Sequence, residues 1–90
     1  MLLIETPGHT YHHCSVLLKA DSCAIFFAAD ICYTQYQIVE EKYSGTNATH
    51  KLAKDTYNRV KQFARNNKLV FIPSHDADAS IRLRKSDPLP

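Results

Sequence analysis

Three side chains with metal-binding chemistry each follow an apolar, strand-like run. His9 follows Leu2–Glu5, Asp30 follows Cys23–Ala29, and His75 follows Leu69–Ile72. Imidazole and carboxylate are donors that suit zinc and similar divalent ions. If the three runs lie side by side in a sheet, loops leaving one edge bring the two imidazoles and the carboxylate together. Spacing alone makes this a candidate and no more. A loop histidine is usually solvated, and an aspartate after a strand is usually a turn residue or a helix cap.

The elements that must position these residues are legible from period and punctuation. Leu2–Glu5 reads as a first strand, and Thr6–His13 as a polar loop opened by Pro7-Gly8. Ser15–Lys19 reads as a second strand, Ala20–Ser22 as a turn, and Cys23–Ala29 as a third strand rich in β-prone side chains. A tyrosine-rich loop runs from Asp30 to about Asn47, where Gly45-Thr46-Asn47 marks a break. One helix follows, from about Ala48 to Asn66. Leu52, Ala53, Thr56, Tyr57, Val60, Phe63 and Ala64 recur at three- and four-residue spacing and make one apolar face. Asn47 or Thr49 can cap its start, because a short side-chain oxygen accepts from first-turn amides. Asn66 and Asn67 suit its end, where positive φ is often required. Leu69–Ile72 is a fourth strand, and Pro73–Ala79 is a loop. Residues 1–79 thus read as one domain body, and residues 80–90 as a polar tail.

Strands, then a helix, then a strand predict an α+β fold: one mostly antiparallel sheet with a covering helix. Such a helix covers one face only. The other face also carries Ile, Leu and Phe, so the pattern implies a partner layer that these 90 residues do not supply. A chain of this length buries only roughly 60–65% of its unfolded surface, which leaves little margin for bare apolar area.

Composition narrows the function classes. A formal net charge of +2 is too weak to argue for nucleic acid. The longest apolar run, Cys23–Ala29, is too short to cross a bilayer, and no secretory leader is evident at the N-terminus. Cys14, Cys23 and Cys32 are odd in number and match no zinc-finger spacing. They read as free thiols in a reducing, cytoplasmic setting.

The local sequences around the three candidate ligands carry a resemblance. Thr6-Pro7-Gly8-His9-Thr10 resembles the TPGHT motif of the metallo-β-lactamase superfamily. Phe26-Phe27-Ala28-Ala29-Asp30 resembles its strand ending in a metal-bridging aspartate, and Phe71-Ile72-Pro73-Ser74-His75-Asp76 its final strand and GHD loop. Asp30-Ile31-Cys32-Tyr33-Thr34 is similar to the N-acyl-homoserine lactonases, in which tyrosine and threonine follow the bridging aspartate. The resemblance runs from Ile4 to Asp76. It implies the C-terminal half of an αββα sandwich and a metal-dependent hydrolase of lactones or related esters. It further implies zinc or another divalent metal, with His9 on the first ion, Asp30 bridging both, and His75 on the second. Tyr33 would direct its phenol at oxyanion charge, catalytic alongside Asp30. His13 keeps the family's second histidine, as a hydrogen-bonding group of the loop behind the ligands, and Asp76 and Asp78 either orient His75 or lie in a solvated turn.

The departures from that pattern shape the expectation equally. No HxHxDH motif is present, so the ligand set within this chain is incomplete and the isolated chain is expected to be inactive. His12 and Ser74 stand where the family has glycine. The remaining ligands are expected from a complementing N-terminal half or another chain. The uncovered face implies a homodimer or higher oligomer, or that same complementing half. A small lactone or ester is the substrate if the assembly is active, with neither nucleic acid nor membrane as partner. Two other readings stay open: a non-catalytic remnant acting as an oligomerising or binding module, and a basic-tail binding module using Arg82, Arg84 and Lys85.

Overall fold

The computed structural model of the chain describes residues 1–43 and 49–90. The Gly45-Thr46-Asn47 break, the Asn47 cap and the Ala48 helix start lie outside the described residues.

Four strands, β1 (Leu2–Glu5), β2 (Cys14–Lys19), β3 (Ala24–Ala29) and β4 (Leu69–Pro73), form one sheet in the order β1-β2-β3-β4. The first two pairings are antiparallel and β3 pairs with β4 in parallel. A parallel pair cannot be closed by a tight turn and needs a long crossover. Here the crossover contains α1 (Gln35–Val39) and α2 (His50–Asn66), and α3 (Ala79–Lys85) follows β4. The sheet is therefore mixed, with helices, and each expected strand is present within a residue of its expected bounds.

Strand register sorts the side chains into two faces. Leu2, Leu17, Phe26 and Phe71 stand in one row across all four strands, and Leu3, Val16, Phe27 and Ile72 in the next row on the opposite face. The first face packs under α2, which buries Ala53, Thr56, Tyr57 and Val60 against it. Phe26 and Phe71 stack there with centroids 6.0 Å apart. Thr49 caps α2, its side chain accepting from the Leu52 amide at 3.0 Å, as expected of one of the two candidates. The other end differs from expectation. Asn67 is extended at φ −144° and needs no positive φ, because its side-chain amide donates to the Phe63 carbonyl at 3.0 Å instead.

Two helices escaped the sequence pattern. α1 lies inside the tyrosine-rich segment read as loop, anchored by the fully buried Ile38. Gln37 folds back to accept from the Thr34 amide at 3.2 Å. Five residues give too few turns for a period to show. The segment read as a polar tail carries α3, whose Arg82 donates to the Phe71 carbonyl at 3.0 Å. Beyond it the Leu89 amide donates to the Leu69 carbonyl at 2.8 Å and the Leu89 side chain is buried in the core. These bonds satisfy outward carbonyls of β4, an edge strand that would otherwise be open to pairing. Among the described residues no helix is long and apolar enough to cross a membrane.

Candidate functional site

Topology puts the three sequence-predicted loops at one edge of the sheet. β1, β3 and β4 run in the same direction, so the loops after Glu5, Ala29 and Pro73 leave from the same end, where β2 also begins at Cys14. His9, Asp30 and His75 all lie on these loops.

The Thr6–His13 loop is pinned at both ends. The Thr6 amide donates to the His13 carbonyl at 2.9 Å, and the Thr56 hydroxyl of α2 donates to the Pro7 carbonyl. Gly8 is required at this approach. It adopts φ +156°, and a Cβ there would stand 2.9 Å from Ala53 Cα. The loop thus lies down on α2 and turns His9 toward β3, with His9 Nε2 3.9 Å from Asp30 Oδ2.

Asp30 follows a kink. Ala29 is left-handed at φ 53°, and the β3–β4 register shifts between Phe27 and Ala29, which bends the strand end and re-aims the residue after it. Asp30 Oδ1 accepts from the Ser74 hydroxyl at 2.7 Å, and its backbone N–H donates to His13 Nε2 at 3.1 Å. Burial holds the His13 pKa below the ordinary imidazole value, with the nearby His9 acting in the same direction against the Thr6 carbonyl and the Asp30 charge.

His75 is exposed, and its ring meets Tyr33 edge-on, centroids 4.9 Å apart at 82°. The His75 amide donates to the Tyr33 carbonyl at 3.1 Å, so the loops after β3 and β4 are tied by backbone as well as by rings. Asp76 is held by three donors. Its carboxylate accepts from Arg82 at 2.9 Å, from the Gln35 amide at 2.9 Å and from the Asp78 amide at 2.9 Å. Burial acts to raise this carboxyl, but the hydrogen bonds and the Arg82 charge outweigh it and hold the group below the usual carboxylate range. Arg82 is committed to that pair, with only 13% of its side chain exposed, which takes it out of any basic docking patch on the tail.

Thr6 and Ser15 were missed as site residues. Both are almost wholly buried, and the Ser15 hydroxyl accepts from and donates to partners nine and thirteen residues away. A serine in an otherwise apolar strand was the available signal. Ser74 was noted only as a replacement for glycine, and its hold on Asp30 needed coordinates to see.

Among the described residues no group of three or more His, Cys, Asp and Glu side chains is arranged to hold a metal ion. A catalytic zinc takes three protein ligands and an open position. The His9–Asp30 pair supplies two donors, one Asp30 oxygen being engaged by Ser74. The residues present therefore do not fit a complete catalytic metal site.

Solved structures share this arrangement of elements. An N-acyl homoserine lactone hydrolase with the product N-hexanoyl-L-homoserine bound at its catalytic metal center superposes with a TM-score of 0.73 at 22% identity, over 88% of this chain and 32% of that one. The fold is that of the metallo-β-lactamase superfamily. A quorum-quenching N-acyl homoserine lactone hydrolase matches with a TM-score of 0.72 at 25% identity, over 84% of this chain and 31% of that one. A hydrolase of the beta-lactamase superfamily matches at 0.62 and 26% identity, over 86% and 27%. The chain thus spans about a third of the length of the structures it matches. No protein-family model matches the chain, and no curated protein matches it by sequence.

Proposed function

We propose that this metallo-β-lactamase-like chain is the C-terminal part of a metal-dependent hydrolase of lactones or related esters, with the remaining metal ligands supplied from outside the 90 residues. The observation that carries the reading is the gathering of the His9, Asp30 and His75 loops at one edge of the sheet, with His9 and Asp30 side by side. In this reading His9, Asp30 and His75 are metal ligands, for zinc or a similar divalent ion. Tyr33, held beside His75, is the phenol that meets the substrate oxygen. Three free cysteines support a reducing, cytoplasmic setting.

The partner reading rests on the face away from α2. Leu3 is 73% exposed there and Phe27 39%, in a row with Val16 and Ile72. Apolar patches of this kind mark interaction surfaces. The occupant is a complementing half that carries the missing ligands, or a second copy of this chain. The same exposed row favours the second reading, in which the chain associates through this face and catalyses nothing.

Elemental analysis after dialysis separates the two readings from an error in ligand assignment. The isolated chain should hold zinc weakly and in substoichiometric amount. Two tightly held ions would show that the ligand count is wrong. Co-expression with the HxHxDH-bearing half of a lactonase of this fold should then yield lactone ring opening that Asp30→Ala abolishes. A stable co-purifying complex without activity would favour the non-catalytic reading.

A further inference from the structure

Two buried hydroxyls and one half-buried imidazole link the site edge into a single directed chain. His13 Nε2 lies 3.1 Å from the Asp30 backbone nitrogen, which can only donate, so Nε2 is the acceptor and bears no proton. A neutral ring then carries its proton on Nδ1, which is 2.9 Å from Thr6 Oγ1 and 3.2 Å from the Thr6 carbonyl. Thr6 Oγ1 is 2.8 Å from Ser15 Oγ, and Ser15 Oγ donates to the Ala28 carbonyl at 3.0 Å. Ser15 has one proton and spends it on Ala28, so Thr6 must donate to Ser15. Every hydroxyl in the chain therefore has an assigned direction, and each buried polar group is satisfied, as burial demands.

This chain grips the strand end where the backbone is least regular. Ala28 O is held by Ser15, Ala29 O accepts from the Ser74 amide at 3.0 Å, and Asp30 N–H is held by His13. Three consecutive residues spanning the left-handed Ala29 are thus clamped, from β2 on one side and from the loop after β4 on the other. A non-glycine residue at positive φ persists when its surroundings over-determine it.

We propose that His13 is the positioning residue of this site: as the neutral Nδ1–H tautomer it fixes the Asp30 backbone and so directs the Asp30 carboxylate toward His9. Its importance for catalysis rests on the function proposed above, but the geometry it imposes does not. In this role His13 acts through the Asp30 backbone. It transmits the fold of the Thr6–His13 loop to the residue that faces His9.

The test is nuclear magnetic resonance on the labelled 90-residue chain, which involves no hydrolysis and can fail while the functional reading stands, or the reverse. Long-range nitrogen–proton correlation should show the His13 proton on Nδ1. His13→Ala should speed exchange of the Asp30 amide by roughly tenfold, as loss of one hydrogen bond does, while the Phe26 and Phe71 amides keep their protection. The His9 ring signals, which sense the neighbouring carboxylate, should move in His13→Ala. They should return in His13→Gln, whose amide can accept from Asp30 N–H and donate to Thr6. A His13 proton on Nε2 overturns the proposal. So do an Asp30 amide and His9 signals indifferent to His13→Ala. If His13→Ala fails to fold, the tautomer in the unaltered chain and the behaviour of the glutamine variant still decide.

Discussion

Two adjacent rows of the same sheet have almost the same chemistry and differ in burial at the strand centre. Leu2, Leu17, Phe26 and Phe71 make one, and Leu3, Val16, Phe27 and Ile72 the other. Phe26 is 5% exposed and Phe71 fully buried, against 39% for Phe27, while at the β1 edge Leu2 and Leu3 are both open to solvent. Consecutive residues of a strand point to opposite faces, so the difference lies entirely in what packs above each face. α2 covers one, and nothing among the described residues closes over the β1 side of the other. Apolar character on both faces tells that a sheet is meant to be an inner layer. It does not tell which chain completes the sandwich.

The contrast can be broken first at the covered row. Phe71→Ala should destabilise the chain by about 3–5 kcal/mol in chemical denaturation, as removal of a large buried side chain does. Phe27→Ala should cost under about 1 kcal/mol at low protein concentration, since surface substitutions away from special features have small effects. If Phe27→Ala costs as much as Phe71→Ala at every concentration, the open face is covered within the monomer and the comparison fails.

Association sharpens the same contrast. If the open face seats a second copy, light scattering on the purified chain should show an oligomer that Leu3→Asp with Phe27→Asp returns to monomer. A monodisperse, cooperatively melting monomer at micromolar concentration would remove the need for a covering layer.

The cysteines report the two environments directly. Cys32 is buried beneath α2, and burial pushes its pKa up to about 12, with hydrogen bonds from Ile38 and Tyr57 only partly offsetting this. Cys14 and Cys23 are half-buried. At pH 8 a thiol reagent should label Cys14 and Cys23 and leave Cys32 untouched until the chain unfolds. The folded pKa of Cys32 is raised, so its contribution is intact below the ordinary value of 9.0 and is lost as pH rises toward about 12. Cys32→Ala should flatten that alkaline loss. A denaturation midpoint equally pH-dependent in the variant would contradict the assigned burial.

The smallest effect belongs to the site edge. Asp30→Ala should change stability by only about 0.5 kcal/mol, because its carboxylate is half-exposed and its contacts are a serine hydroxyl and a histidine. A loss of several kcal/mol would make Asp30 a structural residue and weaken the case that it is kept for chemistry.

Much of the framework was legible in the amino-acid sequence because it is encoded in local repetition. Alternation and apolar runs placed β1 to β4, and three- and four-residue spacing placed the buried face of α2 from Ala53 to Val60. Strand direction then put the residues after Glu5, Ala29 and Pro73 at one edge. Local pattern could not reach the rest. α1 and α3 are too short to show a period, and their stability comes from Ile38 in the core and from Arg82 on Asp76 and Phe71. The grip of Ser74 on Asp30 spans 44 residues, and that of His13 on the Asp30 amide spans 17. Hydrogen bonds require a few tenths of an ångström in distance and a correct angle, and no spacing rule conveys either across a chain reversal. The sequence determined which side chains arrive at the edge of the sheet. The tertiary structure alone decided where the Asp30 carboxylate points, because that depends on a kinked strand end held from both sides by residues distant in the chain.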